Sequence, residues 1–130
     1  RAMEMTIKKA AAIYAIVIGL SMIGIWIMFY MSGSIPELAT EPIAIGMHLL
    51  AEFTTAILLI ISGWALLRNR KWAVQAFLIA MGMLVYTLIQ SPGYFLQQGE
   101  VPITIMFLVM LLIALFFLLS ILTKKHIFDE

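Results

Sequence analysis

The chain alternates long, unbroken apolar runs with short polar breaks, a pattern that predicts membrane helices rather than half-buried strands. Four runs stand out, at about residues 7–30, 42–67, 72–90 and 102–123. Each supplies about the 20 residues that a helix needs to cross a hydrocarbon core of ~30 Å. Inside lipid the backbone must satisfy its own hydrogen bonds, and a closed barrel would need many more strands with alternating faces. The expected fold is therefore all-α: a four-transmembrane-helix bundle forming a single integral membrane domain over residues 1–130.

The breaks carry boundary chemistry. Thr40-Glu41-Pro42 reads as the start of the second span: a capping hydroxyl, an acid at the positive end of the dipole, then a proline that needs no donor. Glu100-Val101-Pro102 opens the fourth in a similar way. Ser91-Pro92-Gly93 is expected to end or sharply kink the third. Trp26 and Tyr30 near one face, and Trp64 and Trp72 near the other, fall where aromatic belts form. Pro-Ile-Ala-Ile at 42–45 and Pro-Ile-Thr-Ile at 102–105 echo each other as a two-helix duplication would, but three matches in four among apolar residues are no more than chance supplies.

Composition narrows the class. The chain is 64% hydrophobic and 12% charged, with a mean hydropathy of +1.09, which excludes a water-soluble globule of this size. A net charge of +1, with the basic residues in three short groups, argues against nucleic acid as a partner. The absence of cysteine removes disulfides, thiolate metal sites and iron–sulfur clusters. All eight Lys and Arg fall on one side of the expected bundle: Arg1, Lys8, Lys9, Arg68, Arg70, Lys71, Lys124 and Lys125. The opposite loops, around 31–42 and 91–102, hold Glu37, Glu41 and Glu100 and no basic residue. The positive-inside rule then places both termini and the 68–71 turn in the cytoplasm, most simply of a prokaryotic cytoplasmic membrane. The same asymmetry argues against the small multidrug exporters and fluoride channels, which insert both ways and need a balanced charge bias. The first span is too long for a cleaved signal, and Arg1-Ala2 reads as a remnant ahead of a natural start at Met3 or Met5.

Glu52 carries the most information. It lies ~15 Å along the second helix from Pro42, near the midplane, and intramembrane acids ordinarily face a bundle interior and mark a functional site. The plainer alternative is a buried acid that only fixes packing through a hydrogen bond. His48, one turn earlier, shares its face, and Thr55 and Ser62 continue that stripe, which should point inward. A His–carboxylate pair suits proton relay, the binding of a quinone or another small polar ligand, or metal capture. Metal is the weakest of these, because His48 is the sole histidine within the spans and His126 lies beyond the last one. On the third span, Tyr86 and Gln90 lie one turn apart at about the depth of His48. Tyr86 facing His48 or Glu52 would complete a polar pocket, although interfacial anchoring explains Gln90 as well. Tyr94 and Phe95 would sit over this pocket as a lid or anchor at the surface. Gly19, Ser21 and Gly24 make a packing face on the first span. The fourth span, polar only at Thr104, Ser120 and its last residue Thr123, is expected to face lipid or a partner chain. The ten methionines read as core gap-fillers, or as a polarizable lining around an apolar ligand. No phosphate loop, serine-nucleophile motif or zinc-binding helix is present. A single intramembrane carboxylate also lacks the second acid of two-acid chemistry, so catalysis is not expected.

Ala51-Glu52 in the second span, Gly63 near its inner end, the Arg68-Asn69-Arg70 turn and the Ala-rich stretch after Trp72 resemble the second and third spans of DoxX-like membrane proteins. That resemblance covers about a quarter of the chain. It implies a small four-helix protein with both termini inside, linked to respiratory or sulfur redox and quinone chemistry as an accessory subunit, with Glu52 as its functional acid. Thr55-Ala56 stands where such proteins commonly carry paired glycines.

Two functional expectations follow. The first is a ligand-binding or accessory subunit in which Glu52, His48, Thr55, Tyr86 and Gln90 line a pocket for a small amphipathic ligand or a partner's helix. The second is a proton-coupled small-molecule transporter, oligomeric, with Glu52 as the protonation site. The expected surroundings are the lipid bilayer and a membrane-protein partner or a second copy of the chain.

Overall fold

The structure, a computed structural model, describes residues 2–124, with residues 2–4 and Tyr94 described in their backbone only. Five helices follow in order: α1 (Ala2–Met31), the single-turn α2 (Glu37–Thr40), α3 (Pro42–Leu67), α4 (Ala73–Gln97) and α5 (Val101–Thr123). No strand occurs among the described residues. All but α2 are long and apolar enough to cross a membrane, and their exposed faces are covered with Ile, Leu, Val and Met side chains suited to lipid.

Neighbours in sequence are neighbours in space: α1 packs on α3, α3 on α4, and α4 on α5. Tyr14 closes the ring between α1 and α5. Its hydroxyl donates to the Met110 carbonyl at 2.8 Å, and its ring lies 5.4 Å from that of Phe117.

Three helices stop in the same way. Gly33, Asn69 and Gly99 take left-handed conformations, with φ of 70°, 55° and 77°. In each case the next amide reaches back six residues, counting both ends, to the last turn of the helix: Ser34 to Phe29, Arg70 to Ala65, and Glu100 to Phe95. This is the Schellman arrangement, which satisfies carbonyls that would otherwise lack a donor. Asparagine is among the few side-chain-bearing residues that tolerate that backbone, and Asn69 is further held by the Lys8 ammonium, which donates to its side-chain oxygen.

Of the two outcomes expected at Ser91-Pro92-Gly93, a helix end or a sharp kink, the end is corrected. The helix runs through buried Pro92 to Gln97, and Gly99 stops it instead. A proline removes one amide donor, and a membrane helix tolerates that loss where neighbouring groups make it good. Thr40 does not cap the second span either: it closes α2, and Glu41 takes the N-cap position of α3 with no side-chain capping bond.

The tightest packing lies between α1 and α3. A Cβ added at Gly19 would stand 2.6 Å from the Ala56 carbonyl oxygen and 2.8 Å from Ile60 Cγ1. One added at Gly63 would stand 2.6 Å from the Ala12 carbonyl oxygen and 2.7 Å from Ile16 Cγ1. The two contacts mirror each other across antiparallel helices: Ala12, Ile16 and Gly19 have the spacing of Ala56, Ile60 and Gly63. Gly24, by contrast, has open space where a side chain would go.

Buried side chains concentrate toward the 68–71 turn. There Ala11, Ala12 and Ala15 of α1 meet Leu59 and Leu66 of α3, Phe77 and Met81 of α4, and Ala114 and Ile121 of α5. α5 is not simply a lipid-facing helix, since Thr104, Ala114, Phe117 and Ile121 are buried. Because the obstructing atoms at Gly19 and Gly63 include backbone oxygens, Gly19→Ala and Gly63→Ala should each destabilise the bundle by about 1–3 kcal/mol. Gly24→Ala and Gly46→Ala, with nothing within 4 Å of the added carbon, should be neutral or stabilising. Thermal unfolding of the four variants in detergent micelles checks this.

Candidate functional site

In the half of the bundle away from the 68–71 turn, the helices enclose space rather than filling it. Two cavities lie there. A groove of about 450 Å³ runs between α3 and α4 and opens outward, lined by His48, Ala51, Glu52, Thr55, Gly82, Met83, Tyr86, Thr87 and Gln90 among others. The five residues singled out from sequence, Glu52, His48, Thr55, Tyr86 and Gln90, thus border one groove. A second cavity of about 460 Å³, itself partly open, is walled by α1, α3, α4 and α5.

Glu52 and Thr87 are the two residues that line both. Glu52 is 5% exposed, set on the α3 face that turns toward α4. Its Oε1 lies 3.3 Å from His48 Nε2, an i, i+4 pair that α-helical geometry brings together. Its Oε2 is buried with no hydrogen-bond partner. A buried acceptor left unpaired costs ~1–3 kcal/mol, so this oxygen is the point at which a donor from outside the chain would gain most. His48 is held from its other side by Trp26 of α1, whose ring meets the imidazole edge-on at a centroid distance of 5.6 Å.

The rest of the stripe is arranged differently from the pair. Thr55 and Ser62 are buried as expected, but their hydroxyls donate to their own helix, Thr55 to the Ala51 carbonyl at 2.8 Å and Ser62 to the Leu59 carbonyl at 3.2 Å. Both retain lone pairs to accept with, and neither has a donor to spare. Tyr86 is 67% exposed on the groove rim, and no hydrogen bond joins it to His48 or Glu52 among the described residues. Gln90 is exposed one turn further on. Phe95 stacks on Phe107 at 5.4 Å and lines the inner cavity. The Tyr94 side chain and His126 lie outside what is described.

Sequence reasoning missed Thr87, Trp26 and the inner cavity. Thr87 lies between Tyr86 and Gln90, and its three-residue offset from Gln90 was the available signal. Trp26 fits the pattern of an interfacial belt, and its role against His48 depends on the α1–α3 pairing, which sequence alone does not reveal. The inner cavity depends on Ser21 and Met22 of α1 and on Ile103, Met106, Phe107 and Met110 of α5, the helix that sequence assigned to lipid or a partner chain. No cluster of three or more metal-binding side chains occurs among the described residues.

The His48–Glu52 contact has an energetic consequence. His48→Ala removes the imidazole that partners Oε1 and should cost ~1–3 kcal/mol. In a Glu52→Leu background, with no carboxyl to strand, the same change should cost less than about 0.5 kcal/mol. Unfolding of the two pairs in micelles gives the coupling.

A family model described as a domain of unknown function, DUF8058, matches residues 5–129. No curated protein matches the chain, and no solved structure does. The resemblance of the second and third spans to DoxX-like proteins rests solely on the residues quoted for it.

Proposed function

The chain belongs to the DUF8058 family, and we propose that it is a ligand-binding membrane protein that serves as an accessory subunit. In this reading the His48–Glu52 pair grips the polar head of a small amphipathic molecule, and the groove between α3 and α4 admits it from the bilayer. The observation that carries the reading is Glu52 Oε2: a buried acceptor without a partner, bordering two cavities, and steadied through its other oxygen by His48. Intramembrane acids are costly and tend to persist where a ligand, ion or proton uses them. His48, Trp26 and Thr87 hold or flank the acid, while Tyr86 and Gln90 form the rim where a head group would meet the interface. The same border position supports a second reading, a proton-coupled carrier, because one acid there serves both the groove and the interior.

The orientation belongs to the same proposal: the termini and the 68–71 turn face the cytoplasm, as the charge asymmetry implies.

Native mass spectrometry of protein released gently from membranes, wild type beside Glu52→Gln, tests the ligand reading. The wild type should carry a bound small molecule or partner subunit that the variant has lost. A bare chain in both, or an occupant equally retained by both, overturns it, and the bare result favours the carrier. Because the chain has no cysteine, single-cysteine variants report orientation cleanly. Asn69→Cys should resist an impermeant maleimide applied to the outside of intact cells, whereas Ser34→Cys should react.

A further inference from the structure

The inner cavity is not explained by head-group binding in the groove. At about 460 Å³ it falls within the size range of small-molecule sites. It is bounded on one side by the Tyr14–Met110 seam and the packed core, and on the other by the Phe95–Phe107 stack. Its wall is mostly apolar, and four methionines contribute to it: Met22, Met28, Met106 and Met110. Methionine is unbranched and polarizable, and suits contact with a partner whose shape varies along its length. Water is poorly suited to such a space, since each buried molecule needs two to four polar partners. Polar groups enter the wall at few places, with Thr87 and Ser91 one turn apart on α4, Glu52 on α3 and Ser21 on α1.

We propose that this cavity holds the apolar tail of a long-chain amphiphile whose hydroxyl or amino head donates a hydrogen bond to Glu52 Oε2. Glu52 and Thr87 form the border between the α3–α4 groove and this cavity, because they alone line both. With Glu52 ionised, the unpaired oxygen is an acceptor and the head that complements it is a donor. A carboxylate head is disfavoured, for it would set a second acceptor against the first. This inference deepens the ligand-binding reading and rests on it.

Trp26 lines the cavity and so provides the probe. Trp64→Phe and Trp72→Phe leave it as the sole tryptophan, since the chain has three. In phosphatidylcholine nanodiscs, dodecanol brominated at its far end should quench Trp26 saturably at one probe per chain, and unbrominated dodecanol should reverse the quenching. Ser91→Phe and Met22→Phe, two independent ways of filling the cavity, should each weaken the apparent affinity about tenfold. Glu52→Gln should also weaken it, and the equivalently brominated dodecanoate should not saturate. Quenching that only tracks probe in the bilayer, or that both filling variants leave unchanged while remaining folded by thermal unfolding, overturns the tail site. A native occupant lost in Glu52→Gln and retained in Ser91→Phe and Met22→Phe leaves the ligand-binding reading standing and overturns this one. Saturable quenching that is indifferent to Glu52→Gln overturns the head assignment and the ligand-binding reading with it.

Discussion

The architecture depends on how closely two backbones approach. In lipid there is no hydrophobic gain from bringing helices together, so association rests on van der Waals contact and on hydrogen bonds. The α1–α3 interface supplies that contact in its most direct form, with Gly19 seated against the Ala56 carbonyl and Gly63 against the Ala12 carbonyl. Everything downstream takes its position from this pair. The approach of α1 sets Trp26 against His48, the histidine steadies one oxygen of Glu52, and the other oxygen is left at the border of the two cavities.

The bundle divides into a solid half and a hollow half. Toward the 68–71 turn, small alanines on α1 allow Leu59, Phe77 and Ile121 to interlock. In the other half, larger and more flexible side chains stand around open volume. The hollow half is affordable because the solid half and the Tyr14 tie to α5 already fix the four helices. Preorganised polar groups in a cavity need such a frame, since a site held by its own contacts alone would collapse or fill.

Much of the frame was legible in the sequence, for physical reasons that name particular residues. Long apolar runs have one stable outcome in lipid, so the four spans follow from residue type. His48 and Glu52 share a face because 3.6 residues make a turn, and that relation needs no knowledge of the fold. The end of α4 was not legible, because Pro92 is a strong stop signal in water and a weak one in a membrane helix, while Gly99 lies beyond the aromatic pair at 94–95, where a helix had no local reason to continue. The inward face of α5 was equally hidden. With Thr104, Ser120 and Thr123 as its few polar residues, the helix has no periodic signal, and only the packing of Ala114, Phe117 and Ile121 against its neighbours shows which side turns in.

The matched spacing of Ala12, Ile16 and Gly19 with Ala56, Ile60 and Gly63 has a consequence for assembly. A surface that complements itself usually invites pairing between copies. This one complements itself only head to tail, and copies of α1 inserted the same way round all point in one direction. In a parallel pair each glycine would meet its own copy at the same depth, not the Ala and Ile that it meets across α1 and α3. The matching partner must run the opposite way, and α3 does so while tethered a short loop from α1, at a high effective concentration. The antiparallel geometry thus makes the chain's own α3 the matching surface for α1, set beside it by the short connection between them.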